Sequence, residues 1–126
     1  MDINNFIAHL KEDGKEQKLV EHLVNVANLC SNVVIDELKP YAYVIGLLHD
    51  IGKYSNAFQR RIRGDKIAVE HSISGAKEVI NIYNKNLVSY LMSYCIAGHH
   101  TGLPDGGNKS DLEEEGTLSG RLKRDV

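Results

Sequence analysis

The chain runs two leucines straight into an imidazole and a carboxylate in LLHDIGKYSNAFQ, residues 47–59. A carboxylate at the end of an apolar face needs partners, because burying it without hydrogen bonds or a counter-charge is too costly. The other histidines are candidates. The chain has six, at positions 9, 22, 49, 71, 99 and 100, and four of the five from His22 onward fall on or at the end of an apolar helical stretch. One histidine so placed is ordinarily a satisfied core residue. Several that converge with Asp50 from separate helices must hydrogen-bond to one another while neutral or hold metal, and metal is the simpler account. Mixed imidazole and carboxylate donors suit Mn, Fe, Co, Ni or Zn better than Mg, which favours an all-oxygen shell. Five histidines and one aspartate exceed what a single tetrahedral ion takes. Two ions about 3.5–4 Å apart would use them, and such a pair activates water and clamps a phosphoryl group during hydrolysis.

For these side chains to meet, helices must carry them. Residues 16–34 place Leu19, His22, Leu23, Val26, Leu29, Cys30 and Val33 three and four apart, which predicts one buried stripe. Pro40 can open a second helix over YAYVIGLLHDIG. Ser55 can cap a third over NAFQRRIR, stopped at Gly64. A fourth is expected from about His71 to Lys85, and a fifth, NLVSYLMSYCIAGHH, aligns Leu87, Leu91, Cys95 and His99 at intervals of four. Neighbours on a helix point about 100° apart, so His99 and His100 reach one site only where the helix ends. Gly98 before them and Thr101-Gly102 after them permit that unwinding. No stretch alternates convincingly between turn signals, so no strand is expected, and GLPDGG at 102–107 reads as a loop. The expectation is one all-α domain over residues 1–126.

Composition narrows the class. Apolar residues make up 42% and charged residues 25% of 126, ordinary for a soluble globular protein with one core. The net charge of −2 arises from the acidic run DLEEE at 111–115, since residues 1–110 balance at 12 Lys/Arg against 12 Asp/Glu. The chain as a whole is therefore not a basic nucleic-acid binder, and attraction to phosphates must be local. Arg60, Arg61, Arg63 and Lys66 offer such a local cluster, able to track a nucleic-acid backbone or simply to solvate a helix face. Cys30 and Cys95 sit in apolar helical patterns and read as buried free thiols of a reducing cytoplasm. No apolar run approaches a membrane span and no signal peptide follows Met1, so a cytoplasmic protein is expected.

Taken in order, His22, HDIGK at 49–53, His71 in EHSISGA and AGHHTGLPDG at 97–106 resemble the HD-domain metal-dependent phosphohydrolases. Within them the pattern is similar to the CRISPR-associated HD nuclease, the nuclease part of the type I interference helicase-nuclease. FIAHLKEDGKEQKLVEHL also looks like the start of that domain, so the likeness spans about residues 6–122. It implies an HD helical bundle in which His22, His49 and Asp50 hold a first ion. Asp50 would bridge to a second ion held by His71, His99 and His100. Lys53 would be catalytic, its ammonium offsetting charge on a phosphate. His9 would have no metal role. The implied substrate is single-stranded DNA, and the implied partners are a helicase domain or subunit and a guide-RNA surveillance complex. The family also closes its first site with an aspartate on a later helix. Neither Asp111 nor Asp125 sits in a matching context, so the chain is expected to lack its C-terminal helices and part of that first site.

Two other readings use the same residues. One is an HD phosphohydrolase acting on nucleotides or cyclic nucleotides, which needs an enclosed base pocket. The other is a truncated module that binds metal or a partner without turnover.

Overall fold

The computed structural model describes residues 2–125. Its order is a short hairpin, β1 (Ile7–Leu10) with β2 (Glu16–Lys18), followed by helices α1 (Leu19–Asn32), α2 (Lys39–Leu48), α3 (Asn56–Ile62), α4 (Ser72–Tyr83), α5 (Leu87–Gly98) and α6 (Leu118–Arg121). A 3-10 turn, Ile51–Tyr54, links α2 to α3. The architecture is an all-α bundle of two helix pairs, α1 against α2 and α4 against α5, with α2 also touching α4 and α5.

Local chemistry explains several boundaries. Pro40 lies in the first turn of α2, where its missing N–H costs nothing. The Ser55 hydroxyl accepts from Phe58 N–H and starts α3, as its position suggests. Asn86 and Ser89 form a reciprocal capping box at the start of α5. Between the pairs, Leu48, Ile73, Ala76, Val79, Met92, Ile96, Ala97 and Leu118 make the main core. A second cluster of Phe6, Ala8, Leu19 and Leu23 seals the hairpin onto α1.

Five expectations are corrected, the buried cysteines among them, since Cys30 is half-buried and Cys95 exposed. The hairpin is the strand pair that the sequence hides. β1 shifts register between Ile7 and His9, so Phe6, Ile7 and Ala8 are buried in succession and no alternation shows. The second helix stops at Leu48, before HDIG, which turns into the 3-10 segment. On α1 the buried residues are Leu19, Leu23 and Ala27, whereas Leu29 and Val33 face solvent. On α5, Leu87 is 75% and Leu91 56% exposed and Cys95 is exposed, so that stripe is an outer face. Spacings of four drift about 40° per step around a helix, and the inward face is instead Ser89, Met92, Ser93 and Ile96. Both cysteines are free, with Cys30 half-buried. No helix among the described residues is long and apolar enough to cross a membrane.

The pairs approach closely where side chains vanish. A Cβ on Gly46 would stand 2.6 Å from the Ala27 Cα, so glycine sets the α1–α2 distance. Gly46→Ala is therefore expected to lower stability by about 2 kcal/mol, despite alanine's better helix propensity. Chemical denaturation of both proteins measures it.

Candidate metal centre

The site assembles from helix ends. His22 projects from the first turns of α1, and His49 is the C-cap of α2 with Asp50 directly after it. Lys53 lies in the 3-10 turn. His71 is the N-cap of α4, and His99 caps the C-terminus of α5, with His100 in the following turn. The helix ends where two adjacent imidazoles require it to end. Gly52 brings the segments together, since a Cβ there would collide with the His71 carbonyl. A glycine in HDIGK is thus a packing requirement for the next ligand.

Asp50 is 2% exposed and every other group points at its carboxylate. Oδ2 lies 3.1 Å from His22 Nε2, 3.3 Å from His49 Nε2 and 2.9 Å from Lys53 Nζ. Oδ1 lies 3.0 Å from His99 Nε2, 3.4 Å from His71 Nε2 and 3.6 Å from His100 Nε2. The imidazoles also meet in pairs, His22 with His49 at 3.1 Å and His71 with His100 at 2.7 Å between Nε2 atoms. Two groups can hold an ion: His22, His49 and Asp50, and Asp50, His71, His99 and His100. All six expected ligands are brought together, divided as expected between the two oxygens of one carboxylate.

The hydrogen bonds behind the ligands test whether metal fits. His49 Nδ1 is 2.6 Å from the Gly46 carbonyl and His99 Nδ1 is 2.6 Å from the Ile96 carbonyl. The His49 N–H thereby satisfies a carbonyl left open at its helix C-terminus, the His99 ring N–H joins the His99 backbone N–H on the Ile96 carbonyl, and each bond fixes its ring. In the neutral ring Nε2 then carries a lone pair. For His99 that lone pair faces a carboxylate oxygen, an acceptor against an acceptor, which needs a cation or a proton between them. Without metal the proton serves. Burial lowers the His99 pKa, but the bonds to Asp50 and the Ile96 carbonyl outweigh it and raise the imidazole above its ordinary value. Burial likewise opposes the charge on Asp50, yet the bonds from His22, His49, His71 and His99 hold its carboxyl far below the usual range. Burial and the neighbouring His99 and His71 lower the His100 pKa, which favours the neutral ligand form. The donor set fits divalent transition metal ions.

Lys53, expected to act through its charge, is itself buried. It is 4% exposed, pairs with Asp50 and donates to the Ala8 carbonyl at 3.3 Å. Three supporting groups carry no signal in a single sequence. Buried Gln59 accepts from Ile7 N–H at 3.0 Å and donates to the carbonyls of Ile7 at 2.8 Å and Lys53 at 2.9 Å, tying β1 to the HDIGK turn. Phe58 packs edge-on against His71 and under the Lys53 ammonium. Arg121 donates to the Ala97 carbonyl, Ser72 Oγ and Glu70, joining α6 to the ends of α4 and α5 that carry ligands. His9, without a metal role by resemblance, is exposed but sets its ring edge-on to His22 at 5.0 Å. Burial, Lys53 and His22 lower its pKa.

Neither later aspartate joins the cluster. Asp111 accepts from Thr117 Oγ1 and Asn108 N–H and staples its own loop, while Asp125 is exposed. The basic residues disperse. Arg63 pairs with Glu16 on the hairpin, Arg61 donates to the Val69 carbonyl beside Glu70, and Arg60 and Lys66 are exposed.

The ligand count predicts tighter metal at Asp50, His71, His99 and His100 than at the three-ligand group. Titration of metal-free protein should give two unequal affinities by calorimetry and elemental analysis. Asp50→Asn keeps the shape but not the charge, so it should lose both ions and lower hydrolysis more than about 100-fold, the upper range for disturbing even an outer partner of a ligand. Lys53→Ala should lower activity while metal is retained. An Asp50→Asn protein with stoichiometric metal and full activity would overturn the shared-carboxylate arrangement.

Comparison with curated proteins finds no match. The family model described as HD domain matches residues 19–122, which takes in every ligand of the cluster. The chain belongs to the HD-domain family, whose members are typically metal-dependent hydrolases.

Proposed function

We propose that the chain is a nuclease that hydrolyses phosphodiester bonds of single-stranded DNA in CRISPR interference. It would work in the cytoplasm beside a helicase domain or subunit and a guide-RNA surveillance complex. The observation that carries the hydrolytic part is the single buried carboxylate whose two oxygens face two separate imidazole groups. A pair of divalent ions bound there supplies an activated water and positive charge for a phosphoryl transition state. Mn, Fe, Co, Ni or Zn match the donors better than Mg.

The chain's own residues do the rest. Asp50 would contribute to holding both ions, and its negative charge would offset their mutual repulsion. Gly46 and Ile96 carbonyls keep His49 and His99 in the ligating orientation. Lys53 holds a positive charge beside Oδ2, where it neutralises charge that develops on the phosphate. Hydrolysis adds water across one P–O bond and leaves a phosphate monoester and a hydroxyl. The strand rather than the nucleotide is favoured by an open groove beside His71 and His100, where a free nucleotide would need an enclosing pocket.

The test is to incubate metal-free protein with circular single-stranded DNA, linear duplex and a panel of nucleotides and cyclic nucleotides, adding Mn, Co, Ni, Fe or Mg in turn. Cleavage of the circular strand without ATP, with intact duplex spared, is the expected outcome. Hydrolysis of nucleotides with DNA untouched would replace this reading by the nucleotide phosphohydrolase. Bound metal with no hydrolysis of any substrate would replace it by a non-catalytic module.

A further inference from the structure

The ligand set places the reacting phosphate but not the rest of a strand. A groove of about 750 Å³ opens beside His71 and His100, and it is open to solvent rather than closed over. Among the described residues its walls contain Arg61, Arg121 and Arg124 but only one carboxylate, Glu70. Glu70 is held by both Arg121 at 3.1 Å and Arg124 at 3.2 Å, so its charge is neutralised within the wall. Of the three arginines, Arg61 is the one not tied into the wall by a carboxylate among the described residues. It is exposed, makes no ion pair with a described carboxylate, and spends one N–H on the Val69 carbonyl at 3.3 Å. That bond steadies the guanidinium against the segment that leads into His71. Across the groove, Leu103, 74% exposed, and Pro104 give an apolar shelf next to His100.

A positively charged wall, an apolar shelf and an open course past the ions are what a polynucleotide strand needs. A guanidinium also grips phosphate through two N–H groups at once, which an ammonium does not. We infer that Arg61 holds the phosphate next to the scissile one, so that it selects a strand over a lone nucleotide; this rests on the phosphodiesterase reading above. A nucleoside monophosphate or cyclic nucleotide has no second phosphate to offer Arg61. Arg60, Arg63 and Lys66 do not line the groove, so the local basic cluster narrows to one residue.

Binding and chemistry are measured separately. Fluorescence anisotropy of a labelled oligothymidylate with the full chain in EDTA reports strand affinity without cleavage. Hydrolysis of bis(p-nitrophenyl) phosphate by the Mn-loaded chain reports the metal centre alone. Arg61→Ala is expected to weaken strand binding about tenfold and to reduce the slope of log affinity against log salt by about 0.7, one phosphate contact on a single strand. Arg61→Lys should recover part of the affinity, and both variants should turn over the small diester within twofold of the unaltered chain. Lys85→Ala, the same charge change at the far α4–α5 turn, should alter strand binding less than twofold. Absence of strand binding by the unaltered chain, or an Arg61→Ala loss no larger than that of Lys85→Ala, would overturn the inference. No turnover of the small diester by the unaltered chain would instead count against the phosphodiesterase reading, and strand affinity would still decide the role of Arg61.

Discussion

A carboxylate removed from water must be surrounded by positive charge or hydrogen-bond donors, and Asp50 draws the rest of the molecule around that requirement. Five imidazoles and one ammonium lie within 3.6 Å of its oxygens. They come from four helices or their ends and from the 3-10 turn, so each element is aimed by its termini rather than its middle. Helix C-termini suit this task, because a histidine there can bond a helix carbonyl with Nδ1 and offer Nε2 to the site. The same few residues thus end a helix, fix a ring and supply a ligand.

The two sides of Asp50 differ in character. On the Oδ2 side, Lys53 and the hairpin close over the site, with Gln59 tying β1 to the turn through three hydrogen bonds. On the Oδ1 side, His100 is half-exposed and borders the groove. A buried, fully bonded wall gives fixed geometry on one side, while the other side is open to solvent.

The ligands were legible because histidine is uncommon and its chemistry specific: adjacent His99 and His100 already demanded a helix end, and α5 ends at Gly98. Ser55 and Pro40 announced their helices for equally local reasons. What failed was inference from apolar letters alone. Ser89 and Ser93 read as polar but are buried, because their hydroxyls bond carbonyls of their own chain segment at 2.6 Å and 2.8 Å. The leucines at 87 and 91 took the outside face instead. Gln59 was opaque for a different reason. Its partner Ile7, 52 residues away, is defined only once the chain has folded.

Arg121 has a consequence for how the protein comes into being. It stitches the carbonyl of Ala97 to Glu70 and Ser72, so residues that flank His71 and His99 depend on a side chain well downstream of them. During synthesis the chain is made from its N-terminus, and contacts of long sequence separation must wait for their later partner. The α1–α2 pair and the hairpin can form early, but the stitch cannot close until residue 121 has left the ribosome. A partly made chain would carry its histidines without the framework that locks them in place. The framework around His71 and His99 is therefore completed late in the order of translation.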